Sequence, residues 1–310
     1  MNIATEELTE FTEYLIAKGY SNNSVQSTLK KTKTFTAWMQ SQNIEITTLT
    51  YNDITAYVQY IKQRNIKITT LQNIVVNIKH YLNYLVQAEI IPYNPALALK
   101  IKNVKRKTIY NILNYEELET IYKSYPVELP VKKKSPPQEL NKLARKRNKI
   151  VLGLIIYQGI TAENIGNIEL QHLELREGKI IIPGTRRSNE RTLKLEAHQI
   201  FDLYDYINDT RKAILQATGK QSKHLFTSVG SGKNTQNLLH HLLKELIATN
   251  HNIKSLDQIR ASVITGWLKI HNKRKVQYMA GHRYVSSTEA YEASNIDALQ
   301  EDVEKYYPIN

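Results

Sequence analysis

Apolar residues recur at helical spacing through the first hundred residues, and no strand pattern interrupts them. Leu8, Phe11 and Leu15 form one such stripe, which predicts a helix with a single buried face. Four helices are predicted here, and Asn94-Pro95 then breaks the pattern. The residues that can open them are Thr5, Ser24, Thr50 with Asp53 in a capping box, and Thr69 or Thr70.

The rest of the chain is also predicted to be mainly helical, with one exception. Helices are expected at about 115–124, 142–158, 196–217, 235–249, 255–270 and 273–280. The exception is a β-hairpin, in which residues 179–183 and 191–195 are strands joined by the polar turn 184–189. The predicted fold class is therefore mainly α with a small β hairpin or sheet in the second domain.

Length and local composition predict two domains. Residues 100–107 form a basic stretch without helical periodicity, which we interpret as part of a linker. The expected limits are a helical domain at 1–99, a basic linker at 100–112, and a second domain at 113–310 that ends in a C-terminal tail. Two interpretations of the basic stretch stay open: a solvated connector, or a strap that contacts phosphates.

The charge balance favours a polyanionic partner. Lys and Arg number 42 against 29 Asp and Glu, so the formal net charge is +13, and nucleic acid is the first candidate. There is no apolar run long enough to span a membrane, and the acidic N-terminus lacks the apolar core of a signal peptide. With no cysteine, disulfides and thiolate metal sites are excluded. We expect a cytoplasmic, nucleoid-associated protein.

Three residues near the C-terminal end have the side chains that phosphoryl transfer on DNA requires. Arg260 can bind a phosphate through two parallel hydrogen bonds, and His282 can donate to a phosphoryl oxygen or move a proton. Tyr291 can act as the nucleophile. Attack on a phosphodiester needs an anion clamp, a nucleophile and a proton donor for the leaving oxygen. No metal ligand set accompanies these residues, and no cofactor is expected.

The chain resembles the tyrosine recombinase (phage integrase) family in the order of its parts: a helical domain, a basic linker and a second helical domain. Its second domain also carries Gly281-His282, Thr288 and Tyr291 at the spacing of that family. The resemblance covers nearly the whole chain. It implies a two-domain clamp around DNA, with a SAM-like, core-binding N-terminal domain and a catalytic second domain. It also implies site-specific recombination through a 3′-phosphotyrosyl intermediate on Tyr291, with Arg260 and His282 in the site and no metal or nucleotide. The expected source is a mobile element.

Three catalytic positions depart from the family pattern. Thr161 stands where the family's first arginine is expected, and Asp257 replaces a histidine or lysine. The lysine of the family's hairpin falls at Arg186, which binds phosphate but is a poor general acid. Arg186 is the first candidate for the missing positive charge and Arg147 the next, while Arg187 and Arg191 are further candidates.

The expected partners are double-stranded DNA, further copies of the chain in a tetrameric synaptic complex, and accessory DNA-bending proteins. Two alternative functions stay open. One is a recombinase-like DNA-binding protein with impaired or lost catalysis, favoured by Thr161 and Asp257. The other is a DNA-relaxing topoisomerase with the same nucleophile, against which the short helical N-terminal domain argues. The side chains expected to contact DNA are Lys31, Lys33, Lys105, Arg106, Arg147, Arg187 and Arg191.

Overall fold

The computed structural model describes residues 3–102, 110–128, 136–230 and 235–292. The chain divides into two compact units, residues 1–108 and 109–310. The predicted limits at 99 and 113 stay a prediction, because much of the connector lies outside the described residues. The tail after Glu292 lies outside them as well.

The first unit consists of four helices around one apolar core. Their bounds are α1 Ile3–Ala17, α2 Asn22–Ser41, α3 Tyr51–Lys62 and α4 Ile68–Gln87. Fully buried Phe11, Phe35 and Leu82 belong to this core. Thr28 donates to Asn77 Oδ1 at 2.5 Å, so a buried polar pair also joins α2 to α4.

The predicted helix starts in this unit are partly right. The capping box of Thr50 and Asp53 is confirmed, since each side chain accepts from the other's backbone N–H. Ser24 is not the cap of α2. The cap is Ser21, three residues earlier, which has extended backbone and whose side chain accepts from the Ser24 N–H. Thr5 and the Thr69-Thr70 pair lie within α1 and α4, whose first residues are Ile3 and Ile68.

The second unit is mostly helical with a small sheet, as the sequence predicts. Three antiparallel strands, β1 Leu173–Glu174, β2 Lys179–Ile182 and β3 Arg191–Lys194, pair in that order. The helices are α5 Tyr115–Lys123, α6 Pro136–Gln158, α7 Ala162–Asn167, α8 Ala197–Asp205, α9 Arg211–Thr218, α10 Gln236–Thr249, α11 Leu256–Ile270, α12 Lys273–Ala280 and α13 Val285–Glu289.

The sequence did not predict α7, α13 and β1, which are too short to show a period. The predicted helix at 196–217 is interrupted by a π-helical turn, Tyr206–Thr210. This turn lets Tyr206 and Arg211 hold one loop: the Tyr206 hydroxyl donates to Leu225 O at 3.0 Å, and Arg211 donates to His224 O and Leu225 O.

The core of the second unit surrounds α6, which is buried along much of its length. Val151, Leu152 and Ile155 on this helix belong to the same buried cluster as Ile180 and Ile182 of β2 and Ile259 of α11. The sheet and α11 therefore lie against a common scaffold, and both carry the polar residues of the candidate site. Among the described residues, no helix combines the length and apolar content that crossing a membrane requires.

Candidate active site

Arg260 occupies the buried face of α11. Ser255 caps this helix, and residues 258–265 are all buried. Arg260 is 6% exposed and donates to the Gly159 carbonyl and, at 3.0 Å, to the Ala280 carbonyl. Burial lowers the pKa of its guanidinium, while the Tyr291 hydroxyl, hydrogen-bonded to it, opposes that shift. Arg260 is therefore a buried guanidinium within a largely apolar stretch of helix.

Gly281 ends α12 and turns the chain so that His282 faces Arg260. Its φ of 70° lies in the left-handed region, and its N–H donates to the Gln277 and Tyr278 carbonyls as a helix cap. The His282 N–H then donates to Gln277 O at 3.0 Å. The imidazole comes to lie with Nε2 3.2 Å from Arg260 Nη2.

The contacts of His282 define its tautomer. A guanidinium can only donate, so Nε2 of His282 accepts from Arg260 and carries no proton. The proton of the neutral ring is then on Nδ1, which donates to Thr288 Oγ1 at 2.9 Å. Burial, with further contributions from Arg260 and Arg191, lowers the pKa of His282 to about 4. The imidazole is therefore neutral at physiological pH in this structure.

Tyr291 completes the group from the last described turn. Its ring is half-buried and stacks on His282, with centroids 5.6 Å apart and an interplanar angle of 8°. It also packs against a small apolar cluster of Ile264, Val276 and Ala280. The structure thus brings together the three residues that the sequence proposed as phosphate ligand, donor and nucleophile.

Arg191 is a further cation at this site. It is 2% exposed on β3 and donates to the Met279 carbonyl at 2.9 Å and the Asn189 carbonyl at 3.3 Å. Burial, followed by the nearby charge of Arg260, lowers the pKa of Arg191 to about 10. The sequence named Arg191 as a further candidate for the missing positive charge, after Arg186 and Arg147, and as an expected DNA contact.

The loop between β2 and β3 is fastened to the segment that carries His282. Asn189 N–H donates to Gly281 O at 2.9 Å, and Arg283 Nη2 donates to Thr185 O at 2.9 Å. Arg186 and Arg187 are exposed on this loop, beside the site but outside its buried part. The sequence did not single out Asn189 or Arg283, whose contacts depend on residues about ninety positions away.

Thr161 and Asp257 are two of the departures from the family pattern, and each occupies the start of a helix. Thr161 caps α7, since its Oγ1 accepts from Asn164 N–H while Asn164 Oδ1 accepts from Thr161. Asp257 is exposed in the first turn of α11, where a carboxylate suits the helix dipole. Thr161 therefore adjoins the Gly159 carbonyl that Arg260 binds, without adding charge.

Arg147 does not fit its predicted role. It is 2% exposed within α6 and donates to the Thr227 carbonyl and to Asn148 Oδ1. Its guanidinium joins α6 to the Thr227 loop, and none of its hydrogen-bond partners belongs to the candidate site. The sequence could not separate this buried arginine from a surface one, because α6 is basic in its first half and apolar in its second.

The other predicted DNA contacts lie in the first unit or outside the described residues. Lys31 is half-buried and donates to Ser27 Oγ at 2.7 Å, and burial lowers its pKa. Lys33 is exposed on α2. Lys105 and Arg106 fall in the range 103–109, which the structure does not describe. Their roles stay predictions.

Comparison with known proteins matches both units. The family model for the phage integrase N-terminal SAM-like domain matches residues 8–89, and that for the phage integrase family matches residues 134–297. Tyrosine recombinase XerC of Anoxybacillus flavithermus is 24% identical over 295 residues, which cover 94% of this chain and 93% of that protein.

Two solved structures share the fold. XerH recombinase bound to a palindromic difH substrate, in a post-cleavage complex, has a TM-score of 0.65 at 16% identity, covering 97% of this chain and 95% of XerH. A lambda integrase dimer bound to a COC′ core site has a TM-score of 0.64 at 11% identity, covering 94% and 95% of the two chains.

Proposed function

Because the chain belongs to the phage integrase family and is thus a site-specific DNA recombinase, we propose that Tyr291 cuts and rejoins its DNA. The observation that carries this assignment is the contact of Tyr291 with both Arg260 and His282. The Tyr291 phenol therefore has two useful neighbours. The Arg260 guanidinium can bind a phosphate, and the stacked His282 imidazole can form hydrogen bonds. Neither Tyr278 nor Tyr284, which are exposed, has that environment.

The proposed reaction is a transesterification. The Tyr291 oxygen forms a bond to the scissile phosphorus as its proton passes to Nε2 of His282, and the bond from phosphorus to the 5′-oxygen breaks as that oxygen takes a proton from water. A 3′-phosphotyrosyl link and a free 5′-hydroxyl result, and the reverse attack rejoins a strand. Arg260 binds the non-bridging oxygens, on which negative charge develops, while the unprotonated Nε2 of His282 serves as the proton acceptor. Fixed donors in a partly dry site stabilise this charge without reorganisation.

The three altered positions take different parts in this proposal. Arg186 binds a DNA phosphate from the exposed hairpin loop, which Arg283 and Asn189 fasten to the site. Asp257 contributes no positive charge to the phosphate and is placed at the rim. Thr161 acts through the backbone, by capping the helix that follows the Gly159 carbonyl.

The proposed partners are double-stranded DNA and further copies of this chain. The net charge of +13 supports a polyanion, and the similar XerH and lambda integrase were solved on DNA substrates, the latter as a dimer. Lys33 and Arg187, both exposed, are proposed phosphate contacts. We further propose that strand exchange proceeds in a tetramer, with accessory DNA-bending proteins for some target sites.

The assignment of Tyr291 is tested by trapping the covalent intermediate. Wild-type protein is incubated with a pool of nicked duplexes of randomised sequence, and adducts that survive detergent are isolated and mapped by mass spectrometry. We expect a nucleotide adduct on Tyr291. Tyr291→Phe, which keeps the ring and its stacking on His282, should bind duplex DNA and form no adduct.

Tyr284→Phe is the matched control, since Tyr284 is 72% exposed and lies outside the site. It should form adducts at the wild-type rate. An adduct mapped to Tyr284 or Tyr278 contradicts the assignment of Tyr291. A wild-type protein that binds duplex DNA but never forms an adduct would support the inactive, DNA-binding alternative instead.

A further inference from the structure

Two buried guanidiniums converge on the end of α12. Arg191 Nε donates to the Met279 carbonyl at 2.9 Å, and Arg260 Nη2 donates to the next carbonyl, that of Ala280, at 3.0 Å. One side chain comes from β3 and the other from α11. They are 2% and 6% exposed, so neither charge is relieved by solvent.

In the part of the chain that the structure describes, this pair has no anionic partner. Within the described ranges, no aspartate or glutamate forms an ion pair with Arg191 or Arg260. Asp257 acts on Arg260 from a distance but is exposed at the start of α11. Two like charges buried together disfavour each other and the folded state, unless a negative group joins them. The arrangement is therefore that of an anion site.

Arg191 also lies close to Thr161, the position at which the family pattern has an arginine and this chain has none. Its Nη2 lies 3.4 Å from Asn164 Oδ1, the same oxygen that accepts from the Thr161 hydroxyl at 2.9 Å. One acceptor atom therefore separates the Arg191 guanidinium from the Thr161 side chain. A long cationic side chain at 161 would compete for the space that Arg191 fills.

Gly281 makes this close approach possible. A Cβ at that position would lie 2.4 Å from Arg191 Nη1 and 2.7 Å from its Cζ, which is far inside contact distance. The guanidinium thus packs directly on the backbone that carries His282. Arg191 consequently touches the segment that carries His282 and whose Ala280 carbonyl accepts from Arg260.

We propose that Arg191 supplies the second guanidinium of the phosphate site, taking from β3 the role that an arginine at position 161 would have. This inference rests on the proposed function. With Arg260, it places two fixed positive charges beside the non-bridging oxygens while Tyr291 attacks, which a neutral Thr161 cannot do. Arg191 binds charge and takes no part in bond making or breaking.

Relocating the guanidinium tests the proposal. Arg191→Gln should lower adduct formation by ~10²–10³-fold, the scale of one transition-state donor, while duplex binding falls by less than ~10-fold. Adding Thr161→Arg to Arg191→Gln should recover at least ~10-fold of that loss, because it returns the charge from the other side of Asn164. Thr161→Arg in the wild-type protein should give no comparable gain.

Arg147→Gln is the matched control, since Arg147 is also 2% exposed and donates to carbonyl and amide oxygens away from the site. It should lose stability but, at a temperature at which it is folded, keep its rate of adduct formation. A folded Arg191→Gln protein that forms adducts within ~3-fold of wild type overturns the proposal. A folded double variant without recovery overturns it as well.

A binding measurement without DNA separates this inference from the nucleophile assignment. Inorganic tungstate, a phosphate-like anion, should raise the unfolding temperature of the wild-type, Arg147→Gln and Tyr291→Phe proteins, and should not raise that of Arg191→Gln. If Arg191→Gln does not fold, the double variant replaces it and should respond to tungstate. A wild-type protein that tungstate does not stabilise overturns the proposal, whereas adducts formed by Tyr291→Phe would overturn only the proposed nucleophile.

Discussion

The rings of His282 and Tyr291 lie face to face, 5.6 Å apart between centroids and tilted by only 8°. Arg260 contacts the edge of the imidazole through Nε2, and the phenol hydroxyl interacts with the same guanidinium. Rotation of the imidazole would therefore break its hydrogen bond to a buried guanidinium and its stacking on the phenol. Because Thr288 holds the other nitrogen of His282, the orientation of the proposed nucleophile depends on a residue that would never touch DNA.

Thr288→Val should lower the rate of adduct formation by about 10-fold or more with little change in duplex binding. Valine keeps the shape of threonine but removes the acceptor for His282 Nδ1–H, which leaves a buried donor without a partner at a cost of about 1–3 kcal/mol. Thr288→Ser keeps the acceptor and is the control, expected to form adducts at close to the wild-type rate. Equal rates for the valine and serine variants would show that this hydrogen bond does not orient His282.

The pKa of His282 makes stability depend on pH in a defined window. Its folded value, about 4, lies below the ordinary value of 6.5, so the unfolded chain binds a proton that the folded protein refuses. The contribution of this group to stability is therefore complete above pH 6.5 and is lost as pH falls from 6.5 through 4.

We expect wild type to lose about 1 kcal/mol more stability than His282→Gln between pH 7.5 and 5.5, after allowing for partial solvent screening. Urea denaturation of both proteins at each pH measures the difference, in which the other histidines cancel. Parallel loss of stability in the two proteins would show that His282 titrates at its ordinary pKa.

The hairpin loop offers a test of the two exposed arginines. Arg186→Ala should lower adduct formation by ~10²–10³-fold, since it removes a phosphate donor that the fastened loop presents to the site. Arg186→Lys should keep part of the rate, because lysine restores a charge and a proton donor but binds phosphate less well than a planar guanidinium. Arg187→Ala, which changes the neighbouring and also exposed arginine, should weaken duplex binding more than it lowers the rate. If Arg187→Ala lowers the rate of adduct formation more than Arg186→Ala does, then Arg187 is the phosphate donor at the site and Arg186 contributes to duplex binding.

What the sequence predicted correctly depends on local chemistry. The capping box of Thr50 and Asp53 and the strands of the hairpin follow from residues a few positions apart, and both are present. Ser21 and Ser24 show the limit of that reasoning: both can cap a helix, and only the extended backbone at Ser21 decides between them.

The sequence could predict which residues belong to the candidate site, but not all of the contacts that assemble it. Arg260, His282 and Tyr291 were named from their spacing, and they do come together. Arg191 could not be distinguished from Arg147, because each is one arginine among many until tertiary contacts bury it. Only the fold places Arg191 on the carbonyl of Met279, 88 positions further along the chain, and places Arg147 under the Thr227 loop.

Gly281→Ala should affect the protein in two ways: it strains the backbone, and its methyl group displaces Arg191 from the site. Gly281 has a φ of 70°, and Gly219 at the end of α9 has a φ of 65°, so alanine costs roughly 1–2 kcal/mol at either position. The two differ in their surroundings, because a Cβ at Gly219 meets nothing within 4 Å while one at Gly281 would lie 2.4 Å from Arg191 Nη1.

Gly219→Ala is therefore the control for backbone strain alone. We expect Gly281→Ala to lose more stability in urea denaturation than Gly219→Ala, and to form adducts at least ~10-fold more slowly, because Arg191 must leave the site to admit the methyl group. Gly219→Ala should form adducts at the wild-type rate. If both variants lose the same stability and keep the wild-type rate, Arg191 moves aside freely, and its packing on Gly281 has no part in holding the phosphate site.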